Sequence, residues 1–469
     1  MNTSHKDDIR ILHIVTAGES VILFHGLTKI LKQQNWSQYI CSNSGVTEDV
    51  KGHLKHCCLV SVPMLREIAP LRDIVSLWKL FWLIRKIKPT IVNAGTPKAG
   101  LLGMLASWLA RVPVRVFQQR GLRFETTQGI KRRTLEWTER ITCFCAHKVI
   151  CNSDSLRRKL LDHKLTKQEK TVVLCHGSSK GVDVNRFSIN GNTIREALEF
   201  REKYDIPKNS FVIGFIARIA KDKGIVELIE VFKKILCRYP DARLIVIGPE
   251  ESNDVIDDDC RQWLKHTPNV IFMGKIADVT SWYNLFDVFV FPSYREGFPN
   301  AVLEAAAMGI PTIGFTATGV VDSIVDGETG MVVPMKNTDA MANAVMNYLD
   351  DPELRLKHGI NGRKRIMWNF QPSMLWEAYY REYCDLLRHK NIFVSLPVAE
   401  PEPLSLIDPK MDEEEFRLWC AVREITVKRR DMDETTRLLN VDIREIQKKL
   451  STIDIKKNIV SAQKNDSTA

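Results

Sequence analysis

Along the first half of the chain, short apolar runs alternate with longer stretches whose apolar residues recur every three or four positions. Arg10–Thr16 (Arg-Ile-Leu-His-Ile-Val-Thr) reads as a buried strand, and Gly26–Gln34 as the helix that follows it. Ile91–Asn93, Val114–Phe117, Val149–Cys151 and Thr171–Leu174 are further strand candidates. Pro97–Arg111 is helical, with proline near the first position, where its missing N–H costs nothing. The second half repeats the plan, with Phe211–Ala217, Arg243–Ile247, Val270–Met273, Val288–Phe291 and Thr312–Gly314 strand-like and helices between them. Strands alternating with helices predict right-handed crossovers and parallel sheets, hence an α/β fold. A chain of 469 residues exceeds one ordinary core. We therefore expect two doubly wound domains facing a cleft, with ligands at the C-terminal ends of the strands.

The expected boundaries are a first domain over 1–190, a second over 205–368, and a helix at 369–390 returning to the first. A linker at 391–411, a helical appendage at 412–455 and a disordered polar tail at 456–469 follow. Asn190–Ser210 is polar and reads as a hinge, and Pro397-Val-Ala-Glu-Pro-Glu-Pro as a stiff acidic linker. Within the appendage, Asp412–Lys428, Glu434–Leu439 and Asp442–Leu450 have helical periodicity. The last two, joined at Asn440-Val-Asp442, look like a helix-turn-helix.

Composition narrows the class. Apolar content of 44% and charged content of 26% are those of a soluble globular protein. No apolar run reaches the roughly 18 residues of a membrane span. Ala305–Val321 comes nearest, but Gly309 and Pro311 interrupt it. The N-terminus has no apolar core of a secretory signal, and the eleven cysteines are irregularly spaced, without a Cys-x2-Cys pair. That pattern predicts reduced thiols in a cytoplasmic protein and no metal site. Residues 1–200 hold 31 Lys and Arg against 16 Asp and Glu. A basic half suits a polyanionic partner, either an anionic membrane face or nucleic acid, or is simply a solvated basic surface.

The richest chemistry lies in Asp287-Val-Phe-Val-Phe-Pro-Ser-Tyr-Arg-Glu-Gly-Phe-Pro-Asn-Ala-Val-Leu-Glu304. A buried strand ends at Pro292, a loop carries Glu296 and Gly297, and a helix begins near Pro299 with Glu304 in its second turn. Free N–H groups and the positive dipole end at such a helix start suit a diphosphate, and carboxylates orient sugar hydroxyls. Spacing alone allows an equally simple reading, in which both acids merely favour the helix dipole. Arg218 and Lys223, five residues apart beside Gly224, pair a guanidinium fork with a compact ammonium as a pyrophosphate requires; a solvated basic turn is the alternative. Gly18, after the first strand, would let backbone N–H groups approach a phosphate, or simply make the strand-to-helix turn. Asp257-Asp-Asp259 has the look of a metal motif, but its place at a helix start favours the dipole reading.

The run from Glu296 to Glu304, continuing Ala305-Ala-Ala-Met-Gly-Ile-Pro-Thr-Ile-Gly-Phe315 and followed by Asp326-Gly-Glu-Thr-Gly330, resembles the Glu-x7-Glu region of family 4 retaining glycosyltransferases. The resemblance covers roughly 8–388 and implies the GT-B fold. It implies that Glu304 binds the ribose of a nucleotide diphosphate sugar and that Glu296 contacts the sugar hydroxyls. Phe298, Pro299 and Asn300 would line the nucleotide-sugar site. Arg218 and Lys223 would neutralise the leaving diphosphate in place of a metal, with no cofactor required. Thr96-Pro-Lys-Ala-Gly100, Gln119-Arg120-Gly121-Leu-Arg123-Phe-Glu125 and Gly177-Ser-Ser-Lys-Gly181-Val-Asp183 are similar to capsule and O-antigen assembly enzymes. Where many members carry His-Gly, this chain has Arg120-Gly121. Arg120 would then contact the diphosphate or an acceptor phosphate, or pair structurally with Glu125 or Glu139.

By the same resemblance, transfer proceeds by same-face attack, and the acceptor is a polyprenyl-diphosphate-linked saccharide of surface polysaccharide synthesis. Leu71–Lys88 combines Trp78, Phe81 and Trp82 with Lys79, Arg85, Lys86 and Lys88, a pattern that fits either a helix lying in an anionic membrane interface or an ordinary sheet-covering helix. The expected location is therefore the inner face of the cell membrane, as a peripheral protein. A GT-B epimerase or a non-lipid sugar transferase is the alternative activity. A nucleic-acid role for the appendage is the alternative class, against which the acids at Asp412–Glu415 and Asp431–Glu434 argue.

Overall fold

The computed structural model describes residues 8–43, 46, 51–52, 54–65, 67, 69–207, 209–251, 256–392, 394 and 409–453. The expected linker segment Pro397–Pro403 and the tail 456–469 lie outside the described residues. The chain forms two compact units. One comprises Met1–Gly181, Arg295–Pro299 and Asn369–Glu402; the other comprises Val182–Tyr294, Asn300–Trp368 and Pro403–Ala469.

The first unit is built on a seven-stranded parallel sheet of β1 (Arg10–Ile14), β2 (Ser37–Ser42), β3 (Cys58–Ser61), β4 (Ile91–Gly95), β5 (Val114–Gln119), β6 (Lys148–Cys151) and β7 (Thr171–Val173). Its order is β3-β2-β1-β4-β5-β6-β7, every pairing parallel. Alternate side chains of each strand enter different cores, as the two-residue period of a strand requires. Leu12, Ile14, Val92, Ala94 and Phe117 pack with the Pro70–Ile87, Pro97–Leu109 and Gly129–Cys145 helices. Ile9, Ile11, Ile91, Val114 and Val116 pack with the His25–Gln33 helix and with Leu375, Trp376, Tyr379, Tyr380 and Tyr383 of the Pro372–Arg388 helix. Gly100 lets the Pro97–Leu109 helix close on the sheet, because a Cβ there would lie 2.4 Å from the Phe117 ring. β2 and β3 carry no periodic signal. Gln38 of β2 is buried and donates to Thr28 O at 2.9 Å, and β3 is a half-exposed edge.

The second unit carries β8 (Val212–Ile216), β9 (Arg243–Ile247), β10 (Val270–Phe272), β11 (Val288–Phe291), β12 (Thr312–Phe315) and β13 (Gly330–Val333) in the order β10-β9-β8-β11-β12-β13, again all parallel. The polar stretch Asn190–Ser210, expected as a hinge region, carries the Gly191–Lys203 helix of this unit. Asn190 Oδ1 accepts from the amides of Asn192 and Thr193, and Thr193 Oγ1 accepts the Asn190 amide in return. Such a reciprocal cap stabilises a helix start by about 1 kcal/mol. Ile194 and Ala197 are buried, and Phe200 stacks on Trp282 at 4.3 Å.

The appendage forms helices Pro409–Thr426, Met432–Leu439 and Ile443–Thr452, the last two meeting at Asn440, whose φ is 51°, and Asp442, which caps the third. These helices belong to the second unit and dock on it through a buried ion cluster. Asp287, directly before β11, pairs with Lys428 at 3.4 Å and Arg430 at 3.2 Å. Glu424 pairs with Lys428 at 2.9 Å and Arg423 at 3.3 Å, and Arg355 stands at 3.8 Å.

Candidate active site

In the second sheet the strand order reverses at β8 and β11, which are hydrogen-bonded neighbours whose crossovers leave in opposite directions. The loops that follow them flank the crevice of a doubly wound sheet, the place where ligands bind. The β8 loop holds Arg218 and Lys223; the β11 loop leads to Asn300 and Glu304. Two glycines in left-handed or otherwise restricted conformations hold the β8 loop against the end of β11 and the loop after β9. At Gly224, φ 72°, a Cβ would stand 2.0 Å from Pro292 O. At Gly248, φ 153°, it would stand 1.7 Å from Ala217 O. Asp222 O accepts the amide of Tyr294 at 3.0 Å and the Ser293 hydroxyl at 3.4 Å, tying the β8 loop to the end of β11. Ile219 and Glu251 tie it to the loop after β9.

Arg218 is half-exposed and bonded to Glu251. Lys223 is buried, only 7% exposed, in a 3-10 turn over Lys221–Lys223. Asn300 opens the Asn300–Ala307 helix, and Glu304, 8% exposed, lies on its second turn. Tyr283, fully buried, places its hydroxyl 3.4 Å from Glu304 Oε2 and 3.2 Å from Ala301 O. Burial, with the Glu304 charge added, drives the phenol well above its ordinary range, so Tyr283 remains a neutral donor. Sequence spacing did not single out Tyr283 or Glu251, because neither is near the motifs they serve. Asp257 pairs with Lys221 at 2.8 Å, and Asp258 with Arg261, at the start of the Asp258–His266 helix. Among the described residues no group of three His, Cys, Asp or Glu side chains is arranged to hold a metal.

The acidic motif itself is divided, with Arg295–Pro299 in the first unit and Asn300 onward in the second. Glu296 is half-buried next to Gly297, where a Cβ would stand 2.2 Å from Arg120 O; Gly121 faces the same turn. The sheet thereby sets Glu296 beside the Arg120-Gly121 turn after β5. Phe298 is buried and packs on Phe370 at 5.4 Å between ring centroids; Pro299 adjoins it and is buried. Arg120 turns inward. Its guanidinium donates to Gln118 Oε1 at 2.6 Å and lies 5.9 Å from the Phe24 ring centroid. Burial lowers its pKa, offset slightly by Tyr379 and Tyr383, and among the described residues no carboxylate forms an ion pair with it. Glu139 accepts instead from Gln119 Nε2 at 3.3 Å, and burial raises its pKa to about 7.

Gly18 is buried and opens the 3-10 helix Gly18–Phe24 at the C-terminal end of β1. Just before it, the Thr16 and Thr96 hydroxyls meet at 2.8 Å, joining the loops after β1 and β4 where the first sheet reverses its order. Thr96 has φ 80°, an unusual value for a β-branched residue, sustained by that bond and by the Thr16 amide, which donates to Thr96 Oγ1 at 3.2 Å.

Two family models match the chain: "Glycosyl transferase 4-like domain" over 42–177 and "Glycosyl transferases group 1" over 196–365. The capsular polysaccharide biosynthesis glycosyltransferase CapM of Staphylococcus aureus is 38% identical over 382 residues, 81% of this chain and 98% of its own. A UDP-Gal:alpha-D-GlcNAc-diphosphoundecaprenol alpha-1,3-galactosyltransferase of Escherichia coli is 25% identical over 402 residues, covering 83% of this chain and all of its own. Among solved structures, Anabaena HepE in complex with UDP and glucose superposes with a TM-score of 0.67 at 17% identity, over 80% of this chain and 100% of its own. Two parallel sheets with the reversed strand order of nucleotide-binding domains, matched along most of their length by these proteins, make this chain a member of the group 1, family 4-like glycosyltransferases, with the GT-B fold.

Proposed function

We propose that this enzyme transfers a sugar, with retention, from a nucleotide diphosphate sugar to a polyprenyl-diphosphate-linked saccharide in capsule or related surface polysaccharide synthesis. The observation that carries the donor half is the junction of the β8 and β11 loops, which puts Arg218, Lys223 and the Asn300–Ala307 helix at the switch point of one sheet. Lys223 and Arg218 balance charge on the departing diphosphate, and Glu304 accepts from the ribose hydroxyls. Glu296 binds hydroxyls of the transferred sugar, with Phe298, Pro299 and Asn300 around the nucleotide sugar. The Gly18 turn offers backbone N–H groups to the diphosphate. In the step, the acceptor hydroxyl oxygen bonds to the anomeric carbon on the face the diphosphate leaves. The carbon–oxygen bond to the phosphate breaks, and a departing phosphate oxygen takes the hydroxyl proton. Arg120, unpaired with any described carboxylate, is an acceptor-phosphate contact only if its guanidinium swings outward from Gln118.

The acceptor class rests on the E. coli relative, whose substrate is a diphosphoundecaprenol, and on the surface of the first unit. The Pro70–Ile87 and Gly129–Cys145 helices pack on either side of Pro97–Leu109. They expose Leu71 (82%), Trp82 (66%), Ile130 (84%) and Phe144 (68%), with Trp78 and Trp137 also exposed. Lys79, Arg85, Lys86, Lys131, Arg133 and Arg140 are exposed among them, and a groove of about 520 Å³ runs along Val75, Trp78 and Trp82. Aromatic and basic residues on one face suit an anionic bilayer surface, each cation near it contributing about 1 kcal/mol. No described helix is long and apolar enough to cross a membrane. The enzyme should therefore sediment with phosphatidylglycerol vesicles but not phosphatidylcholine vesicles at physiological salt, and Trp78→Ser with Trp82→Ser should reduce that binding at least tenfold. Equal sedimentation of wild type and variant would sink the membrane reading. In the appendage, Arg417, Arg444 and Lys449 are paired with Glu413, Asp442 and Glu415, which leaves little positive field for nucleic acid.

The activity itself is tested by incubating the enzyme with a panel of nucleotide sugars and a polyprenyl-diphosphate saccharide in anionic vesicles. Release of the nucleoside diphosphate should depend on the acceptor, and the new linkage should keep the donor's anomeric configuration. Acceptor-independent release would favour the epimerase reading, and an inverted product would exclude same-face attack.

A further inference from the structure

The appendage lies beyond residues 196–365 that match the family model, yet it grips the strand and the helix at either end of the acidic motif. Asp287, immediately before β11, accepts the Val212 amide at 2.9 Å and is enclosed by Lys428 and Arg430. At the far end, Arg423 Nη1 donates to Met308 O at 2.7 Å, and Arg363 Nη1 to Ala307 O at 2.9 Å. Phe416 sits over Gly309, φ 68°, so closely that a Cβ there would lie 2.6 Å from its ring. The Arg363 guanidinium in turn stacks 5.1 Å from the Phe416 centroid.

A helix of eight residues is too short to hold itself, and its last carbonyls need partners. Here two buried arginines supply them, and their charge also suits the negative end of the helix dipole. The Met308 amide donates to Glu304 O at 3.1 Å, so the residue that Arg423 fixes is bonded directly to the backbone of Glu304. We propose that the appendage is a brace for the donor site, with Arg423 and Phe416 as positioning residues that set Glu304 through the end of its helix. The proposal rests on the reading of Glu304 as a donor ligand. Arg423 is itself oriented by Glu424, which Lys428 and Arg355 also surround.

The test uses the full-length enzyme and separates donor KM, acceptor KM and kcat. Arg423→Met keeps the apolar stem but removes the donors. It should raise donor KM about tenfold with acceptor KM unchanged, and Arg423→Lys should restore it to within about threefold. Phe416→Leu, which reshapes the contact over Gly309 and removes the ring under the Arg363 guanidinium, should raise donor KM less, in the same direction. A purely structural appendage would lower the melting temperature and the active fraction while leaving both KM values alone. Unchanged donor KM in folded Arg423→Met overturns the brace; if that variant does not fold, Phe416→Leu decides. Lys448→Ala, on the exposed face of the third helix, should behave as wild type. Glu304→Gln is measured in parallel. Wild-type donor KM and kcat there would remove the donor assignment, whereas a defect confined to Glu304→Gln would remove only the brace.

Discussion

Lys223→Met should lower kcat/KM by roughly 10²–10³-fold while the protein stays folded, the magnitude expected for losing one preorganised electrostatic contact to a charge that develops in the transition state, and Glu304→Gln by roughly 10–10²-fold, as for one charge-assisted hydrogen bond of about 1.5–3 kcal/mol. Methionine retains the stem of the buried Lys223, and the Gly224–Pro292 approach that shapes its loop is untouched. Glutamine keeps an oxygen for Tyr283. The two variants should differ in kind. In the proposed role Lys223 opposes charge that grows only as the diphosphate leaves, so its loss should fall mainly on kcat. As a proposed ribose ligand, Glu304 would grip the donor equally before and during reaction, so its loss should fall mainly on donor KM. Steady-state kinetics with circular dichroism on both variants checks this, and wild-type turnover in either would remove that residue from the site.

The second large effect concerns the buried ion cluster. Asp287→Asn or Glu424→Gln leaves buried cations without their carboxylate, which costs roughly 3–5 kcal/mol and should lower the melting temperature by on the order of 10 °C. Burial alone would raise both carboxyl pKa values. Lys428, then Arg430 and Arg355, instead pull Asp287 well below the usual range, and Lys428, Arg423 and Arg355 bring Glu424 down to about 2. A carboxylate with a depressed folded pKa contributes stability that is complete above its unfolded pKa and is lost as pH falls through the folded one. Wild-type stability should therefore decline as pH drops from about 4.5 towards 2, and Glu424→Gln should flatten that decline. Arg444→Ala, which removes the exposed pair with Asp442, should leave the melting temperature unchanged. Denaturation of the three variants across this pH range decides; an unaltered Glu424→Gln would show the cluster to be electrostatically neutral in effect.

The parallel α/β plan was legible because fully buried parallel strands are continuous apolar runs. Arg243–Ile247 and Val288–Phe291 appear in the structure with the bounds their hydrophobicity predicts. β2, β3 and β13 were not legible. Gln38 hides in the core behind a hydrogen bond, and edge strands need only one partner to exist. The Gly191–Lys203 helix was not legible within the polar stretch because it buries only Ile194, Ala197 and Arg201, and Phe200 stacks on Trp282, a partner distant in sequence.

The chemistry divides in the same way. Local residue order determined which groups this protein offers: two carboxylates eight positions apart, two cations beside a glycine, and a basic aromatic helix. Tertiary structure alone decided how they are disposed. It split Glu296 from Glu304 between two units, turned Arg120 inward to Gln118, and set Tyr283 against Glu304. It also folded the appendage, whose sequence resembled a helix-turn-helix, onto the start of the strand and the end of the helix that bear the motif. The reason is physical. Spacing along a chain encodes hydrogen bonds and periodicity within a few residues, whereas the pairing of Asp287 with Arg430 or Met308 with Arg423 spans more than a hundred positions. Such pairs form only where the packed sheets and helices exclude water and make an unpartnered charge or carbonyl costly.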